Sequence, residues 1–165
     1  MFSSSPSSAT KVVCYFENWA TYRAGNGKFD VEDIDPKLCT HLIYSFVGIS
    51  ADGQVKLLEP GRDEDRIRRF NNLKRQNGNL KTMVAIGGAN GDSAAFSQVV
   101  GDNRLRSVFA NNVIAFLKKY GFDGFDLDWE YPTDKVSYQL TILSLLLLLF
   151  LLLVLFLLLL SLSSS

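Results

Sequence analysis

Residues 122–132 constrain the fold of this chain more than any other stretch, and they read Phe-Asp-Gly-Phe-Asp-Leu-Asp-Trp-Glu-Tyr-Pro. Aromatic and aliphatic residues alternate with acids, which predicts a β-strand that Pro132 ends. Every second side chain of a strand points to the same face, so Asp126, Asp128 and Glu130 are expected to share one face. Neighbouring acids on that face would lie roughly 7 Å apart along the backbone, from a rise of about 3.3 Å per residue.

Three carboxylates on one strand face predict an acid–base site. Carboxylates this close repel one another, so at least one is expected to keep its proton near neutral pH, as a general acid requires. The alternatives are the solvated face of an antiparallel strand and a site for magnesium or manganese. The side chains between the acids are Phe125, Leu127 and Trp129. Because these are large and apolar, they indicate that the back of the strand is buried, which disfavours the solvated strand.

Four predicted strands alternate with segments that contain helices. The strands are expected at residues 11–17, 40–49, 80–86 and 122–130, with an accessory strand at 55–58 after the turn Asp52-Gly53. The helices are expected at residues 63–76, 92–100 and 103–120, and the charge cluster in the first helix is interpreted as a solvated face. This alternation predicts an α/β fold with a parallel sheet, and spacing alone leaves both a doubly wound sheet and a barrel open.

Charge and cysteine content exclude several classes of partner. The 17 basic and 17 acidic residues give a net charge of +0, and no basic patch with interleaved aromatic residues indicates nucleic-acid binding. The two cysteines lie 25 positions apart and, together with the lone His41, fit no zinc pattern. We therefore expect no nucleic-acid partner, no metal and no other cofactor.

The acidic stretch resembles the Asp-x-x-Asp-x-Asp-x-Glu signature of glycoside hydrolase family 18, the chitinases. Its four fixed positions are filled by Asp123, Asp126, Asp128 and Glu130. Residues 14–19, Cys-Tyr-Phe-Glu-Asn-Trp, are most similar to the animal chitinases. The resemblance covers residues 11–137 as a partial catalytic domain. It implies a (β/α)8 TIM barrel, of which four βα units, the N-terminal half, are present.

The resemblance also implies the chemistry. Family members cleave chitin or chito-oligosaccharides with the acetamido group of the substrate as nucleophile, an exception to the usual pair of carboxylates. By resemblance, Glu130 protonates the glycosidic oxygen and then activates water, Asp128 holds the acetamido nitrogen, and Asp126 shares a proton with Asp128. Asp123 would point to the opposite face and serve a structural role. The cluster needs no metal.

The family lines its sugar cleft at the carboxyl ends of the first strands. The resemblance assigns substrate binding to Tyr15, Phe46, Gly87, Gly88 and Tyr131. Without it, core packing explains Tyr15 and Phe46 equally well. The sequence also departs from the family pattern, because Ala85 stands where Ser is frequent and Ala89 where many members have a sugar-stacking Trp. These departures argue against tight binding of long chitin chains.

The two terminal segments and the two cysteines indicate where in or outside the cell the protein is expected. Residues 140–160 are almost pure Leu without charge, Gly or Pro. This run is either a membrane anchor, since about 20 apolar residues span a bilayer, or a pyrimidine-rich tract read through as coding sequence. Residues 1–10 are Ser-rich, lack the apolar core of a signal peptide and are expected to be disordered, and residues 161–165 form a tail. The family resemblance implies an extracellular protein with a disulfide between Cys14 and Cys39.

Three functional interpretations follow from these residues. A chitin-cleaving enzyme is favoured, since chitinase-like lectins bind in the same cleft but typically lose the terminal Glu that is present here as Glu130. A lectin of that kind is the second interpretation. A truncated product without independent function is the third, and with four of eight strands the chain is expected to be inactive on chitin.

Overall fold

The structure is a computed structural model that describes residues 10–91 and 93–132. The predictions for residues 1–9, for the Leu-rich run at 140–160 and for the tail at 161–165 concern residues outside these ranges. Within the ranges that are described, no helix has the length and apolar character needed to cross a membrane.

Four parallel strands form the centre of the fold. Residues 10–91 and 93–132 contain five strands: Val13–Glu17 (β1), His41–Ile49 (β2), Val55–Lys56 (β3), Lys81–Gly87 (β4) and Gly124–Asp128 (β5). The parallel strands lie in the order β1-β2-β4-β5, and β3 folds back antiparallel on the end of β2. The predicted parallel sheet and the accessory hairpin are therefore confirmed.

In the described part of the chain, three α-helices connect the strands, with bounds Pro60–Asn72 (α1), Ser93–Gly101 (α2) and Asn103–Tyr120 (α3). Shorter 3₁₀ turns occupy Asn18–Tyr22, Gly25–Gly27, Val31–Asp33 and Leu73–Arg75. α1 begins at Pro60, before the predicted start, because the fixed φ and missing N–H of proline suit the first helical turn. α3 has its predicted ends: the Asp102 carboxylate accepts two backbone N–H groups at its start, and Gly121 adopts a left-handed φ of 77° at its end.

All three helices pack against the same face of the sheet. Phe16, Tyr44 and Val84 lie in register on that face. They form one buried cluster with Phe70 of α1 and Phe96 of α2. A doubly wound sheet carries helices on both faces, whereas the wall of a barrel carries them on the outside only. The single core therefore decides in favour of a barrel wall.

The opposite face of the sheet is the inner face of this wall. One register row on it consists of Tyr15, Ile43, Met83 and Gly124, and the next of Glu17, Ser45, Ala85 and Asp126. Val13 and Tyr15 on this face are 51% and 53% exposed. The Tyr15 hydroxyl of β1 nevertheless reaches Asp126 of β5, across two intervening strands. The sheet therefore curves around its inner face and brings side chains of its outer strands together.

A disulfide joins Cys14 of β1 to Cys39, which precedes β2. Parallel pairing sets Cys14 beside Leu42, only three residues after Cys39. The two Cα atoms lie 6.1 Å apart, within the usual span of a disulfide. The bridge implied by the family resemblance is confirmed.

Candidate active site

Two of the predicted acids lie at the carboxyl end of β5, on the inner face. Parallel pairing places Asp126 beside Ala85 and Asp128 beside Gly87 of β4. β5 ends at Asp128, so the predicted strand to residue 130 is wrong and Glu130 stands two residues beyond the strand. The three acids nevertheless gather at the end of the sheet where barrels of this class carry their active sites.

Gly87 and Gly88 allow β4 to approach the end of β5. Gly87 has a φ of 121°, and a Cβ there would overlap the carbonyl oxygen of Asp128. The N–H of Gly88 donates to that same carbonyl at 2.8 Å. Gly88 has a φ of 81°, and a Cβ there would lie 2.6 Å from the Phe46 ring. Glycine is required at both positions by backbone conformation and by space.

Tyr15 contacts the acid cluster from β1, the strand at the opposite end of the sheet from β5. Its hydroxyl donates to Asp126 Oδ2 at 2.8 Å. Partial burial, then this hydrogen bond and the charges of Asp126 and Asp128, raise the pKa of Tyr15 to about 12. The phenol is therefore protonated at neutral pH and remains a donor to Asp126. The resemblance had placed Tyr15 in the cleft, but nothing in the sequence indicated its contact with an acid.

Asp128 and Tyr131 both have raised pKa values, to which neighbouring acids contribute. Partial burial, followed by the charges of Glu130 and Asp126, raises the pKa of Asp128 above its usual range. This is the direction that repulsion among the three acids predicts. Tyr131 is 69% exposed, and a hydrogen bond with Glu130 followed by the charge of Glu130 raises its pKa. Tyr131 therefore lies beside Glu130 at the open end of the site.

Asp123 lies apart from the other three acids, before the first residue of β5. Its Oδ2 accepts the backbone N–H of Thr82 at 2.9 Å and the Nζ of Lys74 at 3.1 Å. Burial acts to raise the pKa of Asp123, but the interactions with Thr82 and Lys74 outweigh it and the net shift is downward. Asp123 thus links the start of β5 to β4 and to the end of the α1 connection.

The back of the acid-bearing segment is held by Trp129. Its ring stacks on Phe96 of α2, with centroids 5.6 Å apart. Its indole N–H donates to the Ser93 hydroxyl at 2.7 Å. The sequence predicts Trp129 on the face opposite the acids, and its contacts with α2 agree with that prediction. They anchor the residue next to Glu130 to the outer helices.

A pocket of about 340 Å³ opens at the carboxyl ends of β1, β2 and β4. One wall is an aromatic pair, Trp19 and Phe46, whose rings stack with centroids 5.8 Å apart and 12° between their planes. Gly87, the register partner of Asp128, also lines the pocket, which places the pocket next to the acids. Further lining residues include Asn18, Lys56, Leu58, Ala89 and Asn90. Trp19 was not predicted as a cleft residue, although it ends the segment 14–19 that resembles animal chitinases.

Metal ligation was the alternative use of clustered acids. Across residues 10–91 and 93–132, no three His, Cys, Asp or Glu side chains are arranged to hold a metal ion. Asp126 accepts a hydrogen bond from the Tyr15 hydroxyl, and the charges of Asp126 and Glu130 act on Asp128. The arrangement suits proton transfer, because the Tyr15 hydroxyl donates to Asp126 and Asp128, whose pKa is raised, lies beside Glu130.

Comparison with known proteins places the chain in a family. Residues 11–148 match the sequence model of glycosyl hydrolases family 18. The chain belongs to this family. It is 44% identical over 128 residues to an endochitinase of Manduca sexta, a match that covers 76% of this chain and 23% of that protein. The chain thus spans about a quarter of the length of the curated family 18 relatives that it matches.

Solved family 18 structures share the fold. The Ostrinia furnacalis group IV chitinase, crystallised with allosamidin, superposes with a TM-score of 0.71 at 46% identity, over 76% of this chain and 34% of that chain. Human YKL-39, reported as a pseudo-chitinase with retained chitooligosaccharide binding, gives a TM-score of 0.76 at 38% identity, over 85% of this chain and 38% of that one. The predicted fold class is confirmed: the described wall corresponds to half of a family 18 barrel.

Proposed function

We propose that this chain carries the acid cluster and part of the saccharide cleft of a chitin-cleaving glycoside hydrolase. The observation that carries the proposal is the arrangement at the carboxyl ends of the strands. Tyr15 donates to Asp126, Asp128 has a raised pKa, and Glu130 follows at the open end. Family membership supports a chitinase-type hydrolase, and the substrate is a chitin chain or chito-oligosaccharide.

In the proposed reaction Glu130 gives its proton to the glycosidic oxygen as the bond to the anomeric carbon breaks. The acetamido carbonyl oxygen of the same sugar attacks that carbon and forms an oxazolinium ion. Asp128 accepts a hydrogen bond from the acetamido N–H, which orients the nucleophile and stabilises the positive charge. Glu130 then takes a proton from a water molecule, whose oxygen bonds to the anomeric carbon. The bond from that carbon to the acetamido oxygen breaks, which restores the acetamido group with net retention of configuration.

Asp126 and Tyr15 support Asp128 in this scheme. Asp126 shares a proton with Asp128, and the Tyr15 hydroxyl keeps one oxygen of Asp126 hydrogen-bonded. Two adjacent carboxylates with one proton between them avoid the full repulsion of two charges. Asp128 can then stabilise the positive charge that develops on the acetamido group, without a large change in the net charge of the site.

The cleft would bind sugars through aromatic faces. Phe46 and Trp19 present stacked rings beside the acids. Gly87 and Gly88 have no side chain, so a sugar could approach their backbone closely. Tyr131, largely exposed next to Glu130, would contact the reacting end of the substrate. Binding without cleavage is not favoured by any described residue, because Glu130 is present.

We also infer an extracellular location. The disulfide between Cys14 and Cys39 supports it, since such bridges form and persist in oxidising compartments. Fractionation of cells that express the chain, with mass spectrometry of Cys14 and Cys39 under non-reducing conditions, tests this location.

The assignment of Glu130 is tested in a complete barrel. A chimera would join residues 11–132 of this chain to the remaining half of the Ostrinia furnacalis group IV chitinase. Glu130→Gln in that chimera is expected to abolish turnover of a chitin oligosaccharide while binding persists, because only the transferable proton is lost. Glu64→Gln on the outer surface is the matched control and should leave turnover unchanged. Turnover of Glu130→Gln within about tenfold of the parent chimera would refute the role.

A further inference from the structure

The 3₁₀ turn Asn18–Tyr22 connects a buried ionic cluster to the aromatic wall of the pocket. We propose that Asp63 and Arg66 of α1 are positioning residues for the cleft: they fix this turn and thereby hold the Trp19 ring against Phe46. The identity of the ligand that meets Trp19 rests on the proposed function. The positioning role itself stands on the contacts of the turn.

Asp63 holds the start of the turn. Its side chain is fully buried, and its Oδ1 accepts the Tyr44 hydroxyl at 2.7 Å and the Asn18 amide at 3.4 Å. Its Oδ2 accepts the backbone N–H of Glu59 at 2.7 Å. Burial, followed by the hydrogen bond to Asp63, raises the pKa of Tyr44, so this phenol remains a donor at every ordinary pH. Asp63 therefore ties Asn18 to β2 and to the start of α1.

Arg66 holds the end of the same turn. It pairs with Asp63 at 3.5 Å and donates to the Thr21 hydroxyl at 3.2 Å and to the Tyr22 hydroxyl at 3.5 Å. Thr21 in turn donates to the carbonyl of Asn18 at 3.2 Å. α1 thus contacts the turn at its first, fourth and fifth residues.

Trp19 is the second residue of the turn and belongs to the pocket. It is 41% exposed and stacks on Phe46 of β2. The position of the Trp19 ring depends on the backbone conformation of the turn that carries it. A turn fixed at both ends therefore gives the ring one position.

Fold stability alone does not account for this cluster. A buried ion pair is costly to desolvate, and apolar side chains of similar volume are often equally or more stabilising. Arg66 also buries an Nε that has no hydrogen-bond partner among the described residues. Apolar replacements could fill the same space, but they could not hydrogen-bond Asn18, Thr21 and Tyr22. The charges therefore secure the geometry of the turn.

The test uses Trp19 as its own reporter in the full chain. The chain has two tryptophans, so Trp129→Phe leaves Trp19 as the only one. In that background Tyr44→Phe removes one partner of Asp63, and Thr21→Val removes one acceptor of Arg66 without deleting a buried charge. Either change is expected to raise the population of the released turn about fivefold, the effect of one lost hydrogen bond of about average strength. Acrylamide quenching of Trp19 should rise and its fluorescence anisotropy should fall. Chitotetraose should bind more weakly, by up to about fivefold, because only the held conformation binds it.

Tyr120→Phe is the matched control. Its hydroxyl donates to Glu64 of the same helix α1 at 3.0 Å, but on the outer surface. All variants are compared below their unfolding midpoints, and Thr21→Val decides the matter if Tyr44→Phe does not fold. Quenching and anisotropy equal to those of Tyr120→Phe in both test variants would overturn the positioning role. If Trp19 responds as expected but chitotetraose binds neither the variants and their parent nor the chimera that completes the barrel, the positioning role stands and the ligand assigned by the proposed function is wrong.

Discussion

At the scale of single residues, the acid site depends on a glycine that has no room for a side chain. Gly88→Ala is expected to destabilise the chain by about 1–3 kcal/mol, because its Cβ would meet the Phe46 ring at a left-handed φ. Gly61→Ala is the control, since nothing lies within 4 Å of a Cβ there. Urea unfolding of both variants measures the difference, and equal stabilities would contradict the close approach of Gly88 to Phe46.

The raised pKa of Asp128 predicts a pH-dependent stability. An acid whose folded pKa lies above its unfolded value contributes stability at low pH that is lost as pH rises through the folded pKa. Asp128→Asn removes that loss, so the variant should have a higher Tm than the parent near pH 7, and the difference should shrink toward about pH 3. The relevant shift arises from partial burial and from the charges of Glu130 and Asp126.

Asp52→Asn provides a control of opposite sign. Hydrogen bonds from the Ser50 hydroxyl and the Gln54 N–H lower the pKa of Asp52, so its carboxylate contributes stability above its unfolded pKa. Asp52→Asn should therefore lower the Tm near pH 7 and have less effect near pH 3. If Asp128→Asn also lowered the Tm near pH 7, repulsion of Asp128 by its neighbours would be contradicted.

Single residues also show where sequence reasoning succeeds. Alternation along one strand was enough to place Asp126 and Asp128 together, because period two is a local property of the backbone. The hydrogen bond from Tyr15 to Asp126 joins residues 111 positions apart, and its formation depends on how far the sheet curves. The charge cluster of the first helix was interpreted as a solvated face, whereas Asp63 at the start of the predicted helix is buried. Its burial depends on a turn and a strand elsewhere in the chain.

At the scale of elements, the disulfide fixes β1 to the segment before β2. Cys14→Ser/Cys39→Ser is expected to lower the free energy of unfolding by about 3 kcal/mol, from the loop entropy released to the unfolded chain. The bridge closes a sequence separation of 25 residues. Chemical unfolding of the double variant, with reduced parent chain as control, tests this value. A double variant as stable as the oxidised parent would contradict it.

Element ends were predictable where their causes are local. α3 was bounded correctly because Asp102 and Gly121 cap it from adjacent positions. The end of β5 was placed too late, because it depends on a distant segment: Gly88, the residue after β4, donates to the Asp128 carbonyl. The 3₁₀ turn Asn18–Tyr22 was missed for the same reason, since its main holding contacts come from α1.

At the scale of the whole molecule, the sequence predicted parallel strands but not the side on which the helices lie. Alternating strands and helices give a parallel sheet in either architecture. Helix placement follows from which sheet face is more apolar over several strands, and here Phe16, Tyr44 and Val84 gather on one face. The inner face bears Val13 and Tyr15, which are about half exposed. The exposed inner face lets water reach the acids, which is expected to reduce catalytic activity.

A polypeptide of these 165 residues is expected to be inactive on chitin although its acid motif is complete. Four described strands form one wall, and on that wall Tyr15 is 53% exposed. Water therefore reaches the acids, which weakens their mutual pKa shifts and leaves the acetamido group without a facing wall to hold it. Loss of substrate orientation alone can cost on the order of 7 kcal/mol of barrier lowering.

The measurement compares this polypeptide, and a version of residues 1–139, with the chimera that completes the barrel. All three are assayed with a fluorogenic chitobioside at several pH values. The chimera should turn over the substrate, whereas the two shorter proteins should not, because orientation of the nucleophile requires both halves of the cleft. A second copy of this chain could not substitute, since it would duplicate the first half of the barrel. Turnover that co-elutes with either shorter protein and disappears in Glu130→Gln would show that the single wall suffices for catalysis.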